Sequence, residues 1–461
     1  MIERSHIWGA KISDMHLPTT DSKLVQLVDR HLKKERKKFL KRVARGKVRK
    51  AERRVRRFFQ GLCDVLLGDW LGQAADRFTE QHEAPRGSHV QVRSHQFRLA
   101  SGRQVGLRSP YYRHLPEGYT GGRRPLLAAW GCPHGNSGLL TDRIAMAGVL
   151  CPSYDLGSQL VKRMDAAVCT SSVRKITNQL ADRCERVGQA ELVMEADETL
   201  AGKRVVISMD GGRTRLREAS EDADQAGKKH YATPWREPKL FVIDVLDEQG
   251  GVERSIRPLY GARFDEEQML DLLKSYLAKL HIDQAAHVQV IADGALWIWN
   301  RVPVLLRKLG VKESRLTQTL DHYHALQYVH DLVKAMPKKI SDTRRTSLLN
   351  EFKQLLWNGK SGQIVTQLRA IFRRPTELVE RWINYLDKHQ NRTQYADYEQ
   401  DKLMCGSGLM ESAVRRIINL RYKNASTFWL RDKVEKLYFL RGAFLANRWD
   451  TVLKNLEKLQ I

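Results

Sequence analysis

The chain has 461 residues, with 79 Lys and Arg against 53 Asp and Glu, for a formal net charge of +26. Such an excess implies a polyanionic partner, and the length allows about two to four domains with ample core. No apolar run approaches the roughly 20 residues that span a bilayer, residues 1–6 lack the apolar stretch of a signal peptide, and the six cysteines are scattered without a Cys-x-x-Cys pair, which argues against a membrane protein, a disulfide framework and a structural zinc site and places the chain in a reducing cytoplasm, at the nucleoid.

Residues 21–62 read as one long basic helix. Residues 30–57 hold sixteen Lys and Arg against Glu35 and Glu52. Apolar positions are too sparse for a core-facing stripe, and like charges this dense repel along a helix. Such a segment orders on a phosphate backbone, with Lys37, Lys41, Arg45, Arg49 and Arg53 as its contacts; the plainer alternative is a solvated arm. Residues 1–88 are therefore taken as a basic helical arm for DNA binding and dimerisation.

Residues 89–112 alternate apolar and polar around Ser101-Gly102-Arg103, which predicts a β-hairpin. Two helices follow. The first has the stripe Leu156, Leu160, Val161 and Met164. The second starts at Thr170 and has the stripe Val173, Ile176, Leu180 and Cys184. Its outer face carries Arg174, Lys175, Asn178 and Gln179, which fits the second helix of a helix-turn-helix; a helical hairpin that binds nothing has the same signature. Residues 89–186 thus form a hairpin plus helix-turn-helix-like DNA-binding region. The polar, acidic 187–203 reads as a linker.

From residue 204 strands and helices alternate. The apolar run ending in Asp210-Gly211-Gly212 is a strand, a charged loop covers 213–238, a second strand covers 240–245, and a third lies near 254–259. Asp265 caps a helix with a clean 3.6 period, completed as a box by Gln268. A strand over 287–292 ends in Asp293-Gly294. A helix with Trp297 and Trp299 follows, then a strand over 315–320 and a helix after Asp321-His322-Tyr323-His324. The order β-β-β-α-β-α-β-α predicts a mixed α/β sheet covered by helices, in two parts, 204–339 and 405–461. Between them, 340–404 is an all-helical insertion with stretches at 344–372 and 375–390.

Three carboxylates stand out. Asp210 and Asp293 end strands, where open α/β sheets place ligands, and Glu411 opens a helix that Ser407 can cap. Met410, Ala413, Val414 and Ile417 bury one side of that helix, leaving Glu411, Arg415 and Tyr422 on another. A strand-end Asp beside Gly is by itself most often a turn residue, and a Glu four before an Arg is most often a surface pair. Their joint placement is what points to chemistry. Mg²⁺ prefers carboxylate oxygens, and two such ions, with Mn²⁺ able to substitute, activate an attacking oxygen and stabilise a leaving one.

The layout resembles the RNase H-like catalytic domain of DDE transposases of bacterial insertion sequences, and is similar to their Mutator-like branch. The resemblance rests on Met209-Asp210-Gly211-Gly212, on Trp235-Arg236-Glu237-Pro238-Lys239, on Ile291-Ala292-Asp293-Gly294-Ala295 with Trp297, and on Asp321-His322-Tyr323-His324. It continues in Gly406-Ser407-Gly408 with Glu411-Ser412, then Arg421-Tyr422-Lys423 and Trp429. The relatives' Cys-rich zinc element has no counterpart after Tyr111-Tyr112, where the chain reads Arg113-His114-Leu115-Pro116. The resemblance implies an RNase H-like fold and a two-metal enzyme. It would bind the terminal inverted repeats of its element as double-stranded DNA, cut there, and join the 3′-hydroxyl to target DNA. It would work as a homodimer or larger synaptic complex. His324 would orient a phosphate or a carboxylate. Lys239, Arg415, Arg421 and Lys423 would contact phosphates, and Trp297, Trp299 or Trp429 would stack on an unpaired base, although core packing suits at least two of the three. The rivals are a catalytically inactive DNA-binding relative and an RNase H-like nuclease or resolvase. An RNA-binding module is suggested by charge alone.

Overall fold

The computed structural model describes residues 21–115, 122–223, 229–424 and 427–459; the stretch 1–6 and Pro116 considered above lie outside them. The chain divides into two compact units, one of residues 1–148 with 154–176 and one of 149–153 with 177–461.

The first unit begins with α1 (Asp21–Val43) and α2 (Val48–Gln81). The single long helix expected over 21–62 is therefore two. The break falls at Gly46, whose φ of +66° is a conformation that glycine reaches without strain. The two helices pair, and the repulsion among their cations is relieved locally. The buried Glu35 carboxylate accepts Arg54 Nη2 at 2.8 Å and Lys38 Nζ at 3.1 Å. Its hydrogen bond to Arg54 holds this carboxyl below the usual range against burial. His31 stacks on Phe58 across the same pair, with ring centroids 6.5 Å apart.

Strands β1 (His89–Arg98) and β2 (Gln104–His114) form the expected antiparallel hairpin, with Phe97 opposite Val105. Gly102 turns it with φ +82°. Phe97, Leu99 and Leu107 build a core with Ala75 of α2 and with Leu126 and Leu127 of α3 (Pro125–Ala129). Helices α4 (Gly138–Leu150), α5 (Tyr154–Arg163) and α6 (Thr170–Val187) follow. The stripe expected of α6 is buried, but that of α5 is not: Leu156, Leu160 and Met164 are exposed and Val161 alone is inside. The cause is Gly157, where a Cβ would stand 3.1 Å from the Ala147 carbonyl oxygen. The close approach turns the Gly157–Val161 side of α5 inward.

The second unit contains the acidic segment expected as a linker. It folds instead. Helix α7 (Gln189–Val193) buries Leu192 and Val193, and Glu198 takes Arg448 Nη1 and Nη2 at 2.7 and 2.6 Å. The central sheet contains β3 (Arg204–Gly211), β8 (Lys239–Leu246), β9 (Leu259–Arg263), β10 (His287–Ala292) and β11 (Leu316–Leu320). Its order is β11-β10-β3-β8-β9; β10 is parallel to β3 and to β11, while β8 is antiparallel to β3 and to β9. The third strand lies later than the expected 254–259. Asp247 closes a turn by accepting the Gln249 and Gly251 N–H groups, and pairing resumes where Gly261 can sit against the Phe241 ring. The charged stretch 213–238, expected as a loop, carries two small ladders: β4 (Thr214–Arg215) with β7 (Trp235–Arg236), and β5 (Glu218–Ala223) with β6 (Lys229–Ala232).

Helix α8 (Glu266–Lys279) is capped by the Asp265 carboxylate, which accepts the Gln268 N–H at 3.0 Å. It buries Met269, Leu273, Tyr276 and Leu277 completely, and Tyr276 meets Phe241 of β8 edge-on at 5.3 Å. Helix α9 (Leu296–Lys308) connects β10 to β11, and α10 (His322–Lys334) follows β11. The insertion holds α11 (Asp342–Trp357), α12 (Ser361–Ile371), α13 (Glu377–Lys388) and α14 (Tyr395–Gln400). The helix expected over 344–372 is thus broken, at Gly359, where φ is +69° and the Gln394 side chain occupies the space of a Cβ. After it come α15 (Gly408–Ala413), a π-helical turn over Val414–Asn419, α16 (Leu420–Tyr422), α17 (Arg431–Leu445) and α18 (Trp449–Lys458). Among the described residues no helix is long and apolar enough to cross a membrane.

One buried carboxyl in the core has an unpaired oxygen. Asp244 of β8 is buried and its Oδ1 has no hydrogen-bond partner. Burial pushes its carboxyl up to about 7, with Arg448 pulling the other way. Between the ordinary carboxylate pKa of 3.8 and about 7, the folded chain holds a proton that the unfolded chain has lost, so stability falls as pH rises through that window. In urea unfolding, Asp244→Asn should flatten this loss. It should be the more stable chain at pH 8 by on the order of 3 kcal/mol relative to the comparison at pH 5. Parallel pH profiles for the two chains would contradict this.

Candidate active site

The site is set by strand register. Ala292 of β10 pairs with Met209 of β3 and with Leu320 of β11. The next residues, Asp293, Asp210 and Asp321, therefore stand side by side at the carboxyl ends of three strands. Neighbouring strands lie about 4.8 Å apart, so three carboxylates share one row.

They are not equivalent. Asp321 is 2% exposed and its oxygens are occupied. Oδ1 accepts the His324 N–H at 2.8 Å and faces His324 Nδ1 at 3.1 Å; Oδ2 accepts the Ser407 N–H at 2.6 Å. These bonds hold its carboxyl well below the usual range in spite of burial. Asp321 thereby caps α10 and at the same time fixes the turn before α15. The role given to Ser407 in the sequence is corrected here: its hydroxyl makes no capping bond, and its backbone N–H is what the structure uses. The His322 N–H donates to the Cys405 carbonyl at 3.0 Å and completes the stitch.

Asp210 and Asp293 are half-buried. The Gly211 N–H donates to Asp210 Oδ1 at 2.6 Å, and the Ala295 N–H to Asp293 Oδ1 at 3.0 Å. Burial pushes the Asp210 carboxyl up to about 6. The charges of Asp293 and Glu237 add to the rise, against the Gly211 N–H and His324. His324 is held above the usual imidazole range first by its bond to Asp321, with Asp293 and Asp210 contributing.

Two carboxylates side by side at adjacent strand ends fit a hard divalent cation, which relieves repulsion between them. Among the described residues no three His, Cys, Asp or Glu side chains gather closely enough to hold a metal ion, so Asp210 and Asp293 form a two-carboxylate start of a site. Glu411 is exposed on α15, which packs on β3 and β8. Met410, Ala413, Val414 and Ile417 are buried as expected of that helix; Tyr422, assigned to the outer face with Glu411, is completely buried, because the π-helical turn shifts the phase of the chain after Ala413. Arg415 and Arg416, on that turn, are exposed.

The glycines beside the two aspartates admit close neighbours. A Cβ on Gly212 would meet the Ile418 side chain at 2.6 Å, and one on Gly294 would fall inside the Tyr385 ring. Tyr385 belongs to α13 of the insertion and packs against Tyr328, with ring centroids 4.0 Å apart and the rings tilted by 31°. Trp299 Nε1 donates to the Asp293 carbonyl at 2.6 Å. Sequence reasoning gave no role to Tyr385, to Tyr328 or to Glu237, whose side chain covers Gly211. The signal available was the glycine after each aspartate, which reads as a turn until the neighbour is seen.

The remaining candidates divide by exposure. Lys37, Lys41, Arg45, Arg49 and Arg53 are exposed on the α1–α2 hairpin, Arg174 and Lys175 are exposed on α6, and Lys423 is exposed. Asn178 and Gln179 are half-buried. Lys239 lies 3.5 Å from Glu266 and 5.7 Å from the ring centroid of the half-buried Trp297. Trp299 and Trp429 are buried. Arg421 is 1% exposed, bonded to the Pro152 carbonyl and stacked over Trp429 at 4.7 Å. It braces the fold from inside, where no external phosphate reaches it.

Asp321→Ala removes the acceptor shared by α10 and the turn before α15. The substitution should lower stability by about 2–4 kcal/mol, since it leaves buried N–H groups unpaired. In amide hydrogen exchange, 322–324 and 405–409 should lose protection together. Loss confined to one of the two segments would show that Asp321 does not couple them.

No family model matches the chain, and no curated protein matches it in sequence. Among solved structures, a chain of the Drosophila P element transposase strand transfer complex is similar over 69% of this chain and 80% of its own, at 13% identity and a TM-score of 0.24, a likeness too weak to carry an argument about fold or activity.

Proposed function

We propose that this chain is a DNA transposase that cleaves and joins strands with Mg²⁺. The observation that carries the reading is the placement of Asp210 and Asp293 at one level on adjacent parallel strands, with the Glu411 helix packed on β3 and β8. The sheet order is consistent with an RNase H-like domain, in which the central strand begins the fold. The order of motifs along the sequence and the net charge of +26 favour DNA as the substrate.

In this reading Asp210 and Asp293 would hold Mg²⁺, or Mn²⁺ in its place, and Glu411 would complete the site from its helix. Bound there, a divalent ion would polarise the attacking water or 3′-hydroxyl and stabilise charge at the scissile phosphate. Asp321 keeps His324 oriented beside the pair. Tyr385 and Trp299 fix the backbone after Asp293. The exposed cations of the α1–α2 hairpin and of α6, with Lys423 and Arg415, bind the phosphate backbone of element ends and target. A homodimer or larger assembly brings two ends together. A protein of the same ancestry that binds DNA without cutting it would have no use for two carboxylates at one level on adjacent strand ends, which favours the enzyme. A nuclease or resolvase differs in outcome: it cuts and does not join.

The test uses duplex DNA carrying the sequence that flanks the gene. The wild-type chain should cut it with Mg²⁺ or Mn²⁺ and join the exposed 3′-end to a second duplex. Asp210→Asn, Asp293→Asn and Glu411→Gln should each reduce cleavage by at least about 10³-fold and leave binding within a few-fold. Binding itself should fall steeply between 50 and 200 mM salt, by roughly 10³-fold or more if six or more phosphates are contacted. Cleavage without joining would select the nuclease. Unimpaired cleavage by any of the three variants would remove that residue from the site.

A further inference from the structure

We propose that two copies of this chain pair antiparallel through the solvent-facing side of α2, about a twofold axis near Cys63 and Leu67. The proposal rests on that helix and not on the catalytic reading.

Helix α2 has 34 residues, about 51 Å at 1.5 Å per residue. Its inner side is anchored within its own unit by the fully buried Ala51 and Ala75 and by Asp64, which bonds Ser101 Oγ at 2.9 Å. Its outer side is open. Arg56, Gln60, Cys63, Leu67, Trp70 and Ala74 are all exposed, and they recur at alternating intervals of four and three, the spacing of a helix–helix seam. The exposure is not marginal: Trp70 is 60% exposed, Phe59 on the flank 47% and Leu67 41%. Beside Trp70 a cavity of about 420 Å³ opens between Ala74, Phe78 and Trp130.

Charge selects the occupant. Residues 48–57 carry six Lys and Arg against Glu52, whereas residues 58–81 carry Arg77 alone against Asp64, Asp69, Asp76 and Glu80. Nucleic acid is thus a poor partner for the apolar stretch, which holds the acidic half of the helix. A second copy is a good one. A twofold interface must be complementary to itself. A helix basic at one end, apolar in the middle and acidic at the other meets that condition when it runs against its own copy. Antiparallel pairing sets the Arg56–Arg57 end against the Asp69–Asp76 end and Leu67 near the partner's Cys63. It also brings the partner's Phe59 toward the cavity beside Trp70. Parallel pairing would set like charge on like. The paired stretch ends short of Arg45, Arg49 and Arg53, which stay open at the tip of the hairpin for phosphate.

The experiment uses the full chain without DNA. Sedimentation across a concentration series should give a monomer–dimer equilibrium, and a short homobifunctional maleimide should link the dimer through Cys63. Cys63→Ser should abolish the link, and Cys169→Ser, which removes the other exposed thiol, should not. Reversing the acidic end (Asp69→Lys with Asp76→Lys) should weaken the dimer by about tenfold or more, as like charges then face each other. Adding Arg56→Glu and Arg57→Glu should restore it to within about threefold. All four sites are exposed, so the variants should keep the wild-type circular dichroism. A chain that stays monomeric, a dimer not linked through Cys63, or a charge reversal that the second pair does not rescue would each overturn the proposal.

Discussion

The candidate site depends on the register of β10 between β3 and β11. A shift of one residue would turn Asp293 to the other face of the sheet and break the row it forms with Asp210 and Asp321. The register is held by more than the ladder. Gln289, completely buried on β10, donates from Nε2 to Thr319 Oγ1 of β11 at 2.8 Å and to the Met404 carbonyl at 2.6 Å, and its Oε1 accepts the Met404 N–H at 3.0 Å. One side chain thus ties the middle of the sheet to the loop that leads into α15. Asp321 does the same at the strand end. Both give a segment more than 80 residues away in sequence a fixed position relative to Asp293.

The insertion completes this frame. Tyr395 Oη and Tyr398 Oη donate to the carbonyls of Leu320 and Gln318 at 2.9 and 3.1 Å, so α14 caps the end of β11. Arg392 donates to Gln318 Oε1 at 3.0 Å and lies 4.6 Å from the Trp299 ring centroid. Tyr385 closes over Gly294 from α13. The Asp293 turn is therefore pressed between α9 on its own side and a helix that enters the chain some 90 residues later. A strand-end carboxylate benefits from such support, because its own backbone is short of regular hydrogen bonds there.

Much of this was legible in the sequence. Four of the five sheet strands, the helix capped by Asp265 and the hairpin at 89–112 follow from period and turn chemistry, and the two aspartates stand out because apolar runs end in them. Helix breaks were not legible where the breaker was a lone glycine. Gly46 and Gly359 could have been tolerated in a helix, and the structure shows a positive φ at each. The inner face of α5 was misread because Gly157, without a side chain, makes the closest approach while the leucines point out. Arg421 was expected to contact phosphate because of the resemblance around Arg421-Tyr422-Lys423; its burial rests on the Pro152 carbonyl and the Trp429 ring, which no local pattern announces. The role of Asp321 was half visible. Its cap on α10 is local, but its bond to Ser407 spans 86 residues.

The central claim is that Asp210 and Asp293 share a divalent cation with Glu411 close by. Crystals of the protein grown with Mn²⁺ and duplex DNA, with anomalous scattering collected at the manganese edge, test it directly. The expected result is a peak between the Asp210 and Asp293 carboxylates, with a Glu411 oxygen coordinating that ion or a second one beside it. Manganese bound elsewhere, or bound at the aspartates with Glu411 turned away into solvent, would contradict it.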